Sequence, residues 1–411
     1  MRIVHVIPYF PPAIRFGGVP EAVYSLVTAQ ASLGNEITLL TTDAGLERDS
    51  HREGLTLEWK ASKHLSAVGY FTGGQIFYLT NRYPRLADRY KVFSASFWNR
   101  DIQARLASGV DILHFHEVHI SGYRRLARSC QVKGIPTCLS CHGSLHPPVH
   151  RGYKYFLHGW FDPVLRRGWF NKVSAYFALC QNEKQQLLQC GAREERIHIL
   201  PHGQPQFVPP FSKLPFPVSE SPDMPTFLYL GRIHPAKGIL TAIQAFCELV
   251  RGGIPARLIC CGPEEGGLRQ IRQICERHGI SIIQNALLAD PGIYCIAPLD
   301  RHSLPELFSK VDCTVCPSPY EAFGLVPVES VLCGVPIIVT SAYGCIEHLS
   351  WKNSISVIDP EDVPSMLRAM RDTSIRDKSK NGLPPLGNLL PSWDEIAREI
   401  EAIYKIGRAH V

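Results

Sequence analysis

The sequence predicts an α/β protein made of two parallel-sheet domains. Three observations predict it. Short apolar runs alternate with longer amphipathic stretches in strand–loop–helix–strand order from Met1 onward. A proline-rich interruption follows, and then the same cycle restarts. The length of 411 residues suits two domains at roughly 150 residues or more each.

Taken in order, Arg2–Ile7 reads as a strand, Tyr9–Gly18 as a Pro- and Gly-rich loop, Val19–Gly34 as a helix and Glu36–Thr41 as a second strand. That spacing is a βαβ unit, which implies parallel pairing with a right-handed crossover. Thr56–Arg100 is less periodic and reads as mixed loop and helix. Asp111–Phe115, Ile135–Cys141, Ser174–Leu179 and Ile197–Leu200 continue the strand series of a first domain spanning 1–204. Eight prolines between Pro201 and Pro225 make 205–225 a linker, because each removes a backbone donor. The second domain, 226–390, opens with the strand Thr226–Leu230, the loop Gly231–Gly238 and the helix Ile239–Arg251. Arg257–Cys261, Asp312–Pro317 and Val335–Thr340 read as strands, and Leu268–His278, Leu304–Val311 and Val326–Cys333 as helices. Two such domains place a ligand in the cleft between them, at strand C-terminal ends. Trp393–Lys405, within a C-terminal segment 391–405 expected to return to the first domain, is an amphipathic helix with Ser392 as its N-cap. The last six residues, 406–411, read Ile-Gly-Arg-Ala-His-Val, the translation of a common sequencing-adapter oligonucleotide, and are expected to lie outside the fold.

Composition narrows the function. Hydrophobic residues make up 45% and charged residues 19%, which excludes disorder, collagen and coiled coil. The longest apolar runs are strand-sized, far short of the roughly 20 residues of a membrane span. With no secretory h-region after Met1-Arg2, the expected location is the cytosol. A net charge of +6 suits a small anionic ligand or an anionic membrane surface. It is too dilute to point to nucleic acid, because no basic cluster is interleaved with aromatics in a recognisable module. Fourteen cysteines without a secretory signal read as reduced core thiols. Cys138-Leu-Ser-Cys141-His142 has the spacing of a haem attachment site, and Cys313-Thr-Val-Cys316 is a second C-x-x-C. Both lie in strands, where residues three apart face opposite sides, so neither pair can serve one metal.

The chemistry concentrates in two stretches. In Pro317-Ser-Pro-Tyr-Glu-Ala-Phe-Gly-Leu-Val-Pro-Val-Glu329 a strand ends, a loop carries Glu321 and Phe323, and Gly324 admits close backbone approach. Leu325 and Val326 then open a helix whose N–H groups form a ready anion site, with Glu329 farther along it. Gly231-Arg-Ile-His-Pro-Ala-Lys-Gly238 puts Arg232 and Lys237 on the first strand-to-helix turn of the same domain, where cations stabilise a departing diphosphate. Gly17-Gly18 before the first helix can bring backbone amides to the same group. Neither G-x-G-x-x-G nor G-x-x-x-x-G-K-[ST] occurs, so the dehydrogenase and P-loop fingerprints are missing.

With YFPPAIRFGGV near the start, CHGS at 141–144, RIHILPHG at 196–203, GRIHPAKG at 231–238, CGPE at 261–264, EAFGLVPVE at 321–329 and CGVPIIVT at 333–340, the chain resembles the retaining GT-B glycosyltransferases of family 4. The resemblance covers nearly the whole length. It implies two Rossmann-like domains facing each other across a cleft and a hexosyltransferase that uses a nucleotide-diphosphate sugar, with no cofactor and no metal. It further implies that Arg232 and Lys237 hold the diphosphate, Glu321 orients the sugar and Glu329 binds ribose. Gly18 would lie under the phosphates, and His142 would approach the donor sugar. His202-Gly203 stands where the family often has Asn-Gly, and Tyr343-Gly344-Cys345-Ile346-Glu347 where it often has Gly-Gly before a glutamate. No Asp-x-Asp triplet and no His/Cys cluster is visible to bind a metal.

The acceptor is expected to be a glycan or a lipid-linked sugar in surface polysaccharide or glycolipid synthesis. His150–Lys172 mixes basic and aromatic residues and could rest on the inner face of a membrane, or simply cover the first sheet. Competing readings keep the fold but make it a sugar-nucleotide epimerase, a phosphorylase-like enzyme or a non-catalytic nucleotide-sugar-binding subunit. A phosphorylase would need a pyridoxal-phosphate lysine, for which the sequence offers no clear candidate.

Overall fold

The computed structural model describes residues 1–12, 18–47, 52, 54–60, 62, 64–83, 93–94, 102, 109–118, 120–145, 169–205, 207, 211–216, 224–284, 290–349, 355–375 and 389–409. These form two compact units. One comprises Met1–Gly203 with Leu390–Val411, the other Gln204–Leu389.

In the first unit, strands β1 (Arg2–Val6), β2 (Glu36–Thr42), β3 (Thr56–Trp59), β4 (Leu65–Phe71) and β5 (Gly74–Leu79) are followed by β6 (Phe93–Ser94), β7 (Ile112–His116), β8 (Ile120–Ser121), β9 (Thr137–Ser140), β10 (Ala175–Ala178) and β11 (Ile197–Ile199). Nine of them make one sheet in the order β11-β10-β9-β7-β1-β2-β5-β4-β3, and β6 pairs with β8. β1 lies between β2 and β7, parallel to both, with His5 opposite His114. Its residues Ile3–Val6 are all buried, as expected of a central parallel strand covered on both faces. Helices α1 (Val19–Ser32), α2 (Tyr123–Val132) and α3 (Gln181–Gln189) make crossovers.

The stretch Thr56–Arg100, expected as loop and helix, is strand over most of its described part. β3, β4 and β5 form an antiparallel meander on the sheet edge. The signal was β-branched and aromatic enrichment around the Thr72-Gly73 turn, obscured by a strand whose face is mostly exposed.

The second unit is a seven-stranded, all-parallel sheet. Its strands are β12 (Thr226–Leu230), β13 (Arg257–Cys261), β14 (Ile282–Gln284), β15 (Gly292–Ile296), β16 (Cys313–Cys316), β17 (Ile337–Thr340) and β18 (Ile355–Ile358), in the order β14-β15-β13-β12-β16-β17-β18. Helices α4 (Ile239–Arg251), α5 (Leu268–His278), α6 (Leu304–Ser309) and α7 (Leu325–Leu332) lie between them in the chain, and α8 (Val363–Ile375) follows β18. Chain order reverses between β12 and β16, which is where an open α/β sheet opens a crevice at its strand C-terminal ends. The described part of the proline-rich stretch has no regular secondary structure, as read. It is not a free linker, however. Phe207, Leu214 and Phe216 pack on the second unit's core, and the Leu214 N–H donates to Glu306 Oε2 at 2.7 Å.

Helix α9 (Trp393–Ala409) belongs to the first unit. Ile396, Ala397, Ile400 and Tyr404 join Ile3, Val27 and Phe177 in one core cluster. Ser392 and Glu395 cap it reciprocally. The Glu395 N–H donates to Ser392 Oγ at 3.2 Å, and the Ser392 N–H to Glu395 Oε2 at 2.7 Å. The sequence boundary at Lys405 is corrected by this helix. The suspected foreign tail continues it through Ile406 to Ala409, and a Cβ on Gly407 would touch Ser174 at 3.7 Å.

None of the fourteen cysteines is in a disulfide, and most are buried. Among the described residues no helix is long and apolar enough to cross a membrane.

Candidate active site

At the switch point of the second sheet, the loop after β12 meets the loop after β16. Gly238, at φ 68°, closes the first loop, and a Cβ there would fall 1.9 Å from the Pro317 carbonyl oxygen. Only glycine fits such an approach, so the sequence holds the two loops in contact. Across it, Lys237 Nζ forms an ion pair with Glu321 Oε1, although 84 residues separate them. Arg232 on the same loop donates to Glu265 Oε2 at 2.7 Å, beside the end of β13. Both pairs are partly exposed, with side chains between 25% and 36% accessible. At that exposure each contributes little to stability, so a ligand anion can displace a carboxylate at small cost.

The Glu321 loop is fixed by a short bridge. The Glu321 N–H donates to the Ala342 carbonyl at 3.2 Å, and the Gly344 and Cys345 N–H groups donate to Glu321 and Phe323 carbonyls at 3.1 and 2.9 Å. Gly324, at φ 89°, caps α7, and a Cβ there would collide with the Tyr343 ring at 2.3 Å. No side chain caps α7, so the first N–H groups after Gly324, those of Leu325 and Val326, are presented at a helix N-terminus. Phe323 is buried against the loop, its ring 6.0 Å from that of His348. Glu329 is buried one turn into α7 and pairs with Arg301 at 2.9 Å. Burial, with the Glu321 charge adding to it, pushes the Tyr343 phenol well above its usual range, so it stays a neutral hydroxyl.

In the first unit a line of histidines runs out of the core. Gln30 Oε1 lies 2.8 Å from His5 Nε2, His5 Nδ1 lies 2.9 Å from His116 Nε2, and His116 Nδ1 lies 2.9 Å from His142 Nε2. His202 Nε2 is 3.4 Å from His142 Nδ1. His114 joins Tyr404 Oη at 2.6 Å and Ser140 Oγ at 2.9 Å. His142 sits two residues past β9 in a left-handed conformation, φ 51°, with Gly143 following at φ 81°. Glu183, wholly buried near the start of α3, clamps this turn by accepting the Gly143 N–H at 2.6 Å and the Leu179 N–H at 2.8 Å. Burial pushes its carboxyl up to about 7 against those two donors.

This cluster corrects the expectation that no histidine group exists to hold a metal. His5, His114 and His116 place one ring nitrogen each within 4.8 Å of one another. The spacing could not show it, because 109 residues separate His5 from His114 and only the β1–β7 pairing joins them. Each ring is instead hydrogen-bonded to a neighbouring ring or to Gln30, Ser140 or Tyr404.

The rings make stability acid-sensitive. Burial holds His5 and His142 down to about 4, the Gln30 hydrogen bond opposing the shift at His5, and holds His114, His116 and His202 well below their usual value. An unfolded chain binds protons near pH 6.5 at all five rings; the folded chain refuses them at His5 and His142 until about pH 4, and at His114, His116 and His202 until well below 6.5. Their contribution is therefore complete above pH 6.5 and is lost as pH falls toward 4, with about 3 kcal/mol at stake for His5 alone. Glu183 acts in the opposite direction, since its folded carboxyl takes up a proton near 7 and gains from acid. Five rings outweigh one carboxyl. The urea midpoint is expected to drop steeply between pH 6.5 and 4.5, and a flat profile would contradict the buried neutral rings.

Of the residues singled out in the sequence, Arg232, Lys237, Glu321, Phe323, Gly324, Leu325, Val326 and Glu329 fall on the two adjoining loops and on α7 of the second unit. Gly18 and His142 belong to the first unit, where Gly18 is the exposed residue before α1. Gly17 lies outside the described residues, as does most of His150–Lys172. Sequence reasoning missed the partners Glu265, Arg301, Gln30, His116 and Glu183. Glu265 follows the quoted CGPE motif directly, whereas nothing local marks Gln30.

Comparison with known proteins places both units among glycosyltransferases. Residues 16–204 match the family model Glycosyltransferase Family 4, and residues 211–381 match Glycosyl transferases group 1. A D-inositol 3-phosphate glycosyltransferase of Jonesia denitrificans is 26% identical over 196 residues, 45% of this chain and 44% of that protein. The chain thus spans about half the length of the curated relatives it matches. Among solved structures, sucrose-phosphate synthase from Thermosynechococcus elongatus aligns over 100% of both chains with a TM-score of 0.69 and 17% identity. HepE of Anabaena in complex with UDP-glucose aligns over 100% of this chain and 99% of that one, with a TM-score of 0.60 and 16% identity. The fold of both units is GT-B. Transferase matches across both units do not favour the epimerase, phosphorylase-like or non-catalytic readings.

Proposed function

We propose, from the premise that the chain is a GT-B glycosyltransferase with a family 4 domain followed by a group 1 domain, that it moves a hexosyl group from a nucleotide-diphosphate sugar to a glycan or lipid-linked acceptor with retention and without a metal. The observation that carries this reading is the ion pair of Lys237 with Glu321 at the switch point of the second sheet, beside Arg232 and the open N-terminus of α7. Two cations and a helix N-terminus on one edge suit a diphosphate, whose negative charge grows as the anomeric C–O bond breaks. Arg232 and Lys237 take the roles a metal would otherwise fill. Glu329, oriented by Arg301, is placed for ribose hydroxyls, and Glu321 for the sugar.

Each glutamate is tied to its own cation, which supports front-face transfer over a double displacement through a carboxylate nucleophile. In that course the bond electrons leave with the β-phosphate oxygen, which takes the acceptor hydroxyl proton while the new C–O bond forms on the same face. The same reading gives His142 the role of contacting the donor sugar. The basic and aromatic run 150–172 supports an acceptor at an anionic membrane surface on the cytoplasmic side. The test is transfer from a panel of nucleotide sugars in the presence of excess chelator. Turnover should persist with the anomeric configuration unchanged; loss of activity restored by Mn²⁺ or Mg²⁺ would overturn the metal-free assignment.

A further inference from the structure

The histidine line in the first unit has a direction. We infer that Gln30, acting through His5 and His116, fixes His142 in the tautomer that carries its proton on Nε2 and leaves Nδ1 as a hydrogen-bond acceptor. This rests on the proposed place of His142 at the sugar. The argument is proton counting. A neutral imidazole has one N–H and one lone pair, and each nitrogen–nitrogen contact holds one proton. Gln30 Oε1 has no proton to give, so across 2.8 Å His5 must donate from Nε2. His5 Nδ1 is then bare and accepts from His116 Nε2 at 2.9 Å. His116 Nδ1 is bare in turn and accepts from His142 Nε2, again at 2.9 Å. The last lone pair is on His142 Nδ1, with His202 Nε2 3.4 Å away.

Burial keeps His5, His116 and His142 neutral at physiological pH, which the counting requires. The rings are held rigidly enough to transmit the choice. His5 and His116 stack at 5.2 Å, as do His116 and His142, while His5, His116 and Gln30 are fully buried. A reversed chain would give His142 a proton on Nδ1 and make it a donor to the substrate. In the inferred direction its Nδ1 accepts, from His202 Nε2 in this structure and from a sugar hydroxyl that takes the place of that 3.4 Å contact, which builds partial negative charge on the hydroxyl oxygen beside the ring that becomes cationic. Gln30 touches no reacting atom in this account and is a positioning residue.

The experiment is ¹⁵N spectroscopy of histidine rings in the full chain, the His142 signals being assigned by their loss in His142→Ala. The wild-type His142 ring should show a protonated Nε2 and a bare Nδ1. Gln30→Leu removes the acceptor that sets the direction and should populate both tautomers at His142. It should also lower kcat several-fold with KM for the donor within about two-fold. Gln30→Glu keeps an acceptor and should restore the single tautomer. A proton on Nδ1 of wild-type His142, or an unchanged His142 ring in Gln30→Leu, would overturn the inference; if that variant does not fold, the wild-type spectrum decides. The outcome is separable from the proposed function, because an unaltered kcat in His142→Ala would remove the residue from the site while leaving the tautomer intact.

Discussion

Replacing Arg232 or Lys237 by alanine is expected to lower kcat by about 10²–10³-fold while leaving the protein folded. Each side chain pairs with a partly exposed carboxylate, Glu265 or Glu321, so the folded state loses about 1 kcal/mol or less in either variant. The transition state loses far more. Charge on the departing diphosphate is largest when the C–O bond is nearly broken, and a cation within one loop turn acts on it without reorganising. Because both cations lie on the loop Gly231–Gly238, the double variant should cost less than the product of the two single losses. Stopped assays of sugar transfer on folded variants read this directly. Wild-type turnover in both would remove the loop from the chemistry.

His142→Ala is expected to lower kcat comparably while nucleoside-diphosphate affinity stays within a few-fold, since the proposed diphosphate and ribose contacts belong to the second unit. The backbone complicates the variant. His142 is left-handed at φ 51°, which costs alanine roughly 1–2 kcal/mol, whereas asparagine tolerates that conformation. His142→Asn is therefore the partner variant, and both should lose turnover if the imidazole itself is needed. Unchanged kcat in His142→Asn would return the residue to a structural role, as a ring that closes the line through His116 and His202.

How much of this was legible in the sequence follows from the range of the interactions. The strands at the centre of each sheet could be read because both of their faces are buried, which leaves unbroken apolar runs such as Thr226–Leu230. The edge meander Thr56–Leu79 could not, because its residues face partly to solvent and one strand is mostly exposed. The proline-rich stretch was readable as irregular, but its three apolar anchors look like any loop residues until the core of the second unit is present to receive them. At the site, Gly324 was legible as a close-approach position and Gly238 only as the end of a loop, and the neighbours that require them, Tyr343 and Pro317, came only from the fold. The Lys237–Glu321 contact depends on β12 and β16 being adjacent, a matter of strand order that no local pattern encodes. The histidine line is the extreme case. Its members come from β1, α1, β7 and the turns after β9 and β11, and only the sheet register brings them together.

The most direct test of the central claim is binding of nucleoside diphosphates, measured as a thermal shift of wild type against the Lys237→Ala and Arg232→Ala variants in the presence of chelator. One of the uridine, guanosine or adenosine diphosphates at 100 times its Kd should stabilise the wild type by about 2.7 kcal/mol, with a clearly smaller shift in both variants at the same concentration. No shift with any diphosphate, or an equal shift in wild type and variants, would contradict a diphosphate site on the Arg232–Lys237 loop.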